Sequence, residues 1–121
     1  MSKVSAKPAH SVRSHFAGRE PMVAETYQRI LKASREFGQV HEDPKKTSIH
    51  LVRRTAFAGI ATQKSTLVLT LKAARDITSA RIRRHQQASR ERWHLEVKLS
   101  GPDEVDAEVV SWLRAAYELS G

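Results

Sequence analysis

Between residues 66 and 99 the apolar side chains recur at every second position, and this rhythm constrains the fold more than any other feature. In TLVLTL (66–71), Leu67, Leu69 and Leu71 point one way while Val68 and Thr70 point the other. WHLEVKL (93–99) repeats the pattern, with Trp93, Leu95, Val97 and Leu99 set against His94, Glu96 and Lys98. A period of two belongs to strands, and its oily-then-polar form describes a sheet with one buried face and one wet face. TSIHLVR (47–53) places Ile49 and Leu51 opposite Ser48 and His50. AFAGIAT (56–62) reads as a small-residue strand carrying Phe57 and Ile60, and Val40–Glu42 starts a short edge strand before Asp43-Pro44 turns the chain. Four to five short strands joined by tight breaks fold as an antiparallel meander.

The period changes to about 3.6 at the two ends. After HFAGREP (15–21), Val23, Tyr27, Ile30 and Leu31 form one helical stripe, with Pro21 in the first turn and Gly38 placed as a left-handed cap. SGPDEVD (100–106) opens a second helix: Ser100 or Gly101 caps it, Pro102 fits the first turn, and the acids offset the helix dipole. Val105, Val109, Trp112, Leu113 and Ala116 make its apolar stripe. The expected architecture is α+β, in the order helix, sheet, helix, with both helices on one face of the sheet and the other face open. Residues 75–92 show no strand rhythm and read as a long connection over the sheet edge, with Ile77 and Ile82 its only large apolar groups.

Length allows one core: residues 1–14 are expected to be a basic flexible tail, and 15–121 a single domain. The tail lacks the apolar segment of a secretion signal, and no run approaches the roughly 20 residues of a membrane span, so a cytoplasmic address is expected. The absence of cysteine excludes disulfides, thiol nucleophiles and thiolate metal sites.

The formal charge is +8, and it is divided along the chain. Residues 72–92 hold seven bases and two acids, whereas residues 93–121 hold two bases and six acids. A positive cluster of that density favours phosphate-bearing partners, nucleic acid among them. The candidate anion ligands are Lys46, His50, Lys72, Arg81, Arg83, Arg84, Arg92 and His94. The bland alternative is a solvated loop whose arginines pair with Asp76, Glu91 and Glu96. Arg53-Arg54 reads as a solvated hairpin corner.

Other chemistries find little support. The six histidines include no HExxH or HxH pair, and His50 and His94 read as a polar ladder, so neither a metal nor a cofactor is expected. No GxSxG, phosphate loop or carboxylate pair is present. The aromatic residues Tyr27, Phe37, Phe57, Trp93 and Trp112 fall on core faces or element ends, not on a face where bases stack.

The segments KTSIHLVRRTAFAGIATQK (46–64), LVLTLK (67–72) and ITSARIRRHQQASRERWHLEVKLSGPDEVDAEVVSWLRAAYELS (77–120), with HFAGREP before them, resemble a bacterial family known only as a numbered domain of unknown function. Members of that family stand alone or sit at the C-terminus of predicted transport or nuclease-like proteins. The resemblance implies no activity; its recurring polar positions correspond to His15, Lys46, Thr47, His50, Arg81, Arg92 and His94. In element order alone the chain is similar to frataxin-like and double-wing folds, a likeness that carries no function. The leading functional expectation is a non-catalytic binding module with a basic face for an anionic ligand. A protein-interaction or self-associating domain and an enzyme of unnamed class are the alternatives.

Overall fold

The computed structural model describes residues 10–121, whose two periodicities become two layers. Helix α1 (Pro21–Arg35) and helix α2 (Ala107–Leu119) pack on one face of a six-stranded antiparallel sheet. Its strands are β1 (His41–Pro44), β2 (Ile49–Val52), β3 (Ala56–Thr62), β4 (Leu67–Ala73), β5 (Ile82–Ser89) and β6 (Arg92–Leu99), in the spatial order β1-β2-β3-β4-β6-β5. The alternation in β4 becomes literal: Leu67, Leu69 and Leu71 are buried, whereas Val68, Thr70 and Lys72 are only partly covered. Leu95, Val97 and Leu99 of β6 join them, and Trp93 packs at the margin of the same core.

The helices close that core from one side. Val23, Tyr27, Ile30 and Leu31 of α1 meet Val109, Leu113, Ala116 and Tyr117 of α2 above the leucines. Tyr27 is fully buried, and its hydroxyl donates to Glu42 Oε2 at 2.6 Å, which ties α1 to edge strand β1. Burial and that neighbouring carboxylate push the Tyr27 phenol well above its ordinary range, so it remains a donor at any pH the fold meets.

Five details depart from the sequence reading. First, residues 82–89 are a strand, the sixth, within the stretch expected to be a connection. Only Ile82 of β5 is buried, because this strand lies at the sheet edge with water on both faces, so no apolar rhythm is required of it. The connection proper is residues 74–81, which passes the position of β6 to reach that edge, with Ile77 packed against the core. Second, Phe57 and Ile60 share the buried side although they stand three positions apart. Leu51 pairs with Ala58 and Val52 with Ala56, leaving Phe57 as the extra residue of a β-bulge that turns its ring onto Tyr117, 5.3 Å between centroids.

Third, Gly38 is not an αL helix cap: α1 ends at Arg35, and the Gly38 φ of 153° is a positive value that favours glycine but lies far from the αL well, while a Cβ there would collide with the Tyr117 hydroxyl. That hydroxyl donates to the Gln39 carbonyl at 3.0 Å. Fourth, α2 begins at Ala107, not at Pro102. Residues 102–104 form a separate turn, and Asp106 caps the helix by accepting from the Val109 amide at 3.1 Å. Fifth, the Arg53-Arg54 corner holds the end of α2. Arg53 lies over the Tyr117 ring at 4.4 Å and donates to the Tyr117 carbonyl, while the amides of Arg54 and Thr55 donate to the Ser120 carbonyl. It is a helix C-terminal clamp as well as a turn.

Of the tail expected over residues 1–14, residues 1–9 lie outside the described residues. Val12 already packs against the core, and Ser11 and Ser14 bond each other's amides, so the folded unit starts before residue 15. Among the described residues, no helix is long and apolar enough to cross a membrane.

Leu69 is fully buried at the centre of β4, so Leu69→Ala is expected to lower the unfolding free energy by about 2–5 kcal/mol. Lys98→Ala, on the open face of β6, is expected to shift it by less than about 0.5 kcal/mol. Urea denaturation of the two variants checks the contrast.

Candidate anion-binding face

The face of the sheet away from the helices carries the polar half of the alternation. One cross-strand row runs through all six strands: Asp43, His50, Gly59, Thr70, Glu96 and Arg84, each opposite the next. A neighbouring row brings Lys72 opposite His94 and His94 opposite Gln86. Gly59 leaves a gap in the first row, because the positions that flank it on β2 and β4 carry His50 and Thr70. The result is a groove of about 280 Å³, floored by small residues of β3 and bordered by Ser48, His50, Thr70, Lys72 and His94. A Cβ on Gly59 would meet His50 and Thr70 at 3.8 and 4.0 Å, which is ordinary contact, so glycine here makes room and is not forced by the backbone.

Lys72 is the cation of this groove. It is half-buried, and its ammonium donates to the Thr55 hydroxyl at 3.0 Å. Partial burial first, and the Arg92 charge second, draw its pKa below the ordinary lysine value. Both causes have the same origin: positive charge gathered where water is partly displaced and no carboxylate answers it. Across the face Arg84 does have a partner, Glu96, at 3.7 Å.

The eight sequence-derived candidates therefore separate. His50, Lys72 and His94 share the groove, with Arg92 near enough to act on Lys72. Arg83 and Arg84 are exposed on edge strand β5, where a register shift between Ile82 and Arg84 makes Arg83 the extra residue. Lys46 lies in the β1–β2 turn and borders a different cleft. Arg81 is on the helix side of the sheet. Its guanidinium donates to Asp106 Oδ1 at 2.9 Å, to Glu108 Oε1 at 3.1 Å and to the Glu104 carbonyl at 2.8 Å. These groups surround the start of α2, so Arg81 fastens the crossover to the helix and does not extend the groove.

Sequence reasoning had not singled out Ser48, Gly59 and Thr70. The signal was present in the strand parity, since each is an even number of positions from a named open-face residue on its own strand or directly opposite one. Among the described residues no group of three histidines and carboxylates is arranged to hold a metal. Among the described residues, the exposed large hydrophobic side chain is Met22, on α1.

A family model described as a domain of unknown function (DUF5655) matches residues 12–120. Neither a curated protein nor a solved structure matches the chain.

The Arg81–Asp106 pair has a pH signature. The hydrogen bond from Arg81, then the Val109 amide, hold the Asp106 carboxyl below its usual range. A carboxyl lowered in the folded state stabilises at pH above its unfolded value of about 3.9, and that contribution is lost as pH falls through the folded value. Asp106→Asn keeps a capping side chain but removes the charge. The variant is expected to melt below wild type at pH 7, with the gap narrowing below about pH 4, as thermal unfolding at pH 7 and pH 3 will show.

Proposed function

The chain belongs to the DUF5655 family, a domain of unknown function, and from its own geometry we propose a non-catalytic binding module that takes an anionic ligand on the open face of the sheet. Lys72 carries the reading. Its half-buried ammonium has lost part of its water shell, and among the described residues its partner is a hydroxyl and not a carboxylate. An anion arriving there gains more than at a fully hydrated lysine, because the local dielectric is lower and a counter-charge is missing. His50, His94, Ser48 and Thr70 supply hydrogen-bonding groups around it, and the gap at Gly59 admits ligand atoms below the level of the side chains.

Nucleic acid is the polyanion this arrangement suits. Arg83, Arg90 and Arg92 on the β5–β6 hairpin continue the positive field past the groove, in the manner of phosphate-tracking contacts that carry little sequence preference. The basic cluster and the absence of cysteine fit a cytoplasmic protein.

Salt-dependent retention on a heparin column and fluorescence anisotropy with a single-stranded oligonucleotide test the proposal. Lys72→Ala is expected to elute at lower salt and to reduce the slope of log affinity against log salt by about one. Lys32→Ala removes the same charge from α1, on the other side of the molecule, and is expected to change retention less. Equal behaviour of the two variants contradicts the proposal, since net charge alone would then explain binding.

A further inference from the structure

A second cleft, of about 330 Å³, lies between the segment before α1, the β1–β2 turn and the end of β3. It is bordered by Ser14, His15, Arg19, Lys46, Thr47 and Thr62. Strand parity separates it from the groove: Thr47 and Thr62 border this cleft, while their chain neighbours Ser48 and Ala61 border the other. Every lining residue is polar, two are permanent cations, and none is a carboxylate.

Two of these side chains are held in place by the fold. Arg19 Nε donates to the Thr62 hydroxyl at 3.2 Å and its Nη2 to the Thr62 carbonyl at 3.3 Å. The Thr62 hydroxyl in turn donates to the His15 carbonyl. The guanidinium is thereby fixed at the end of β3, with Nη1 uncommitted in these contacts, and a fixed fork loses less freedom on taking an anion than a mobile one. Lys46 supplies a second charge; Lys45, beside it, is paired with Asp43 at 3.0 Å, whereas Lys46 makes no ion pair among the described residues.

His15 adds a different requirement. Its Nε2 is 2.8 Å from the Lys45 carbonyl, which can only accept, so Nε2 carries the proton. In the neutral ring Nδ1 is then an acceptor, and a fully ionised oxyanion has no proton to give it. With the ring in that form, a ligand that satisfies the whole cleft joins an anionic head for Arg19 and Lys46 to a hydroxyl for His15. We propose that this cleft is a second ligand site, independent of the groove, for a phosphorylated sugar or polyol. The hydroxyls of Ser14, Thr47 and Thr62 suit the hydroxylated body of such a ligand, and nothing in the lining suits an aliphatic one.

The probes are ribose 5-phosphate, ribose and sulfate, each titrated into the full chain by calorimetry at constant ionic strength. Ribose 5-phosphate is expected to bind at least tenfold more tightly than either of the others. Lys46→Ala, which removes no contact within the protein, is expected to weaken it severalfold with the melting temperature unchanged. Arg19→Ala is expected to weaken it further, and Lys72→Ala to leave it as in wild type. Undetectable binding of ribose 5-phosphate, or binding that survives Lys46→Ala and Arg19→Ala together, overturns the site. Equal affinity for sulfate, which has no proton to give, overturns the role given to His15. Loss on Lys72→Ala instead would place the ligand in the groove, which overturns this inference while leaving the anion-binding proposal standing.

Discussion

One asymmetry governs the molecule: the sheet buries a single face. Leu67, Leu69, Leu71, Leu95, Val97 and Leu99 send their side chains beneath two helices, and the same backbone geometry then requires Val68, Thr70, Lys72, His94, Glu96 and Lys98 to stand on the other side. With helices on one face only, the second face must be compatible with water, and it is here polar and partly charged. The groove is a consequence of this layout and of a single missing side chain at Gly59. The buried layer sets where the open-face groups stand, to within the spacing of a pleat.

Electrostatic pairing then divides the basic residues by role. Arg81, Arg53 and Arg84 each meet an internal partner: the acids at the start of α2, the carbonyl and ring of Tyr117, and Glu96. Arg81 and Arg53 act at opposite ends of α2, so two cations outside that helix fasten it to the sheet. Lys72 and Lys46 make no such ion pair among the described residues, and each borders a cavity. A dense positive cluster in a sequence is therefore a mixture, and only the tertiary partners separate structural cations from those available to a ligand.

Much of the fold was legible because burial imposes a rhythm. The two helices, strands β2, β3, β4 and β6, and the open-face positions of His50, Lys72 and His94 all follow from period alone. Strand β5 was not legible, since an edge strand wetted on both faces needs no alternation, and IRRHQQAS has none. The bulge at Phe57 and the cap at Asp106 were hidden for a related reason: each depends on a partner distant in sequence or on a local choice between two acceptable starts. Arg81 reads as an anion ligand in the sequence because its acidic partners, 25 and 27 residues further on, become neighbours only in the fold. The second cleft joins residues 14–19, 46–47 and 62, and no local pattern connects them.

The two-faced sheet can be read directly, because the chain has no cysteine of its own. Single variants His94→Cys and Leu95→Cys place a thiol at adjacent positions of β6, one exposed and one fully buried. Under native conditions the thiol at position 94 should react with a maleimide at the rate of an unfolded control. The thiol at position 95 should react only as fast as the protein opens. Comparable native labelling at both positions would mean that β6 does not separate a covered face from an open one, and the account would fail at its base.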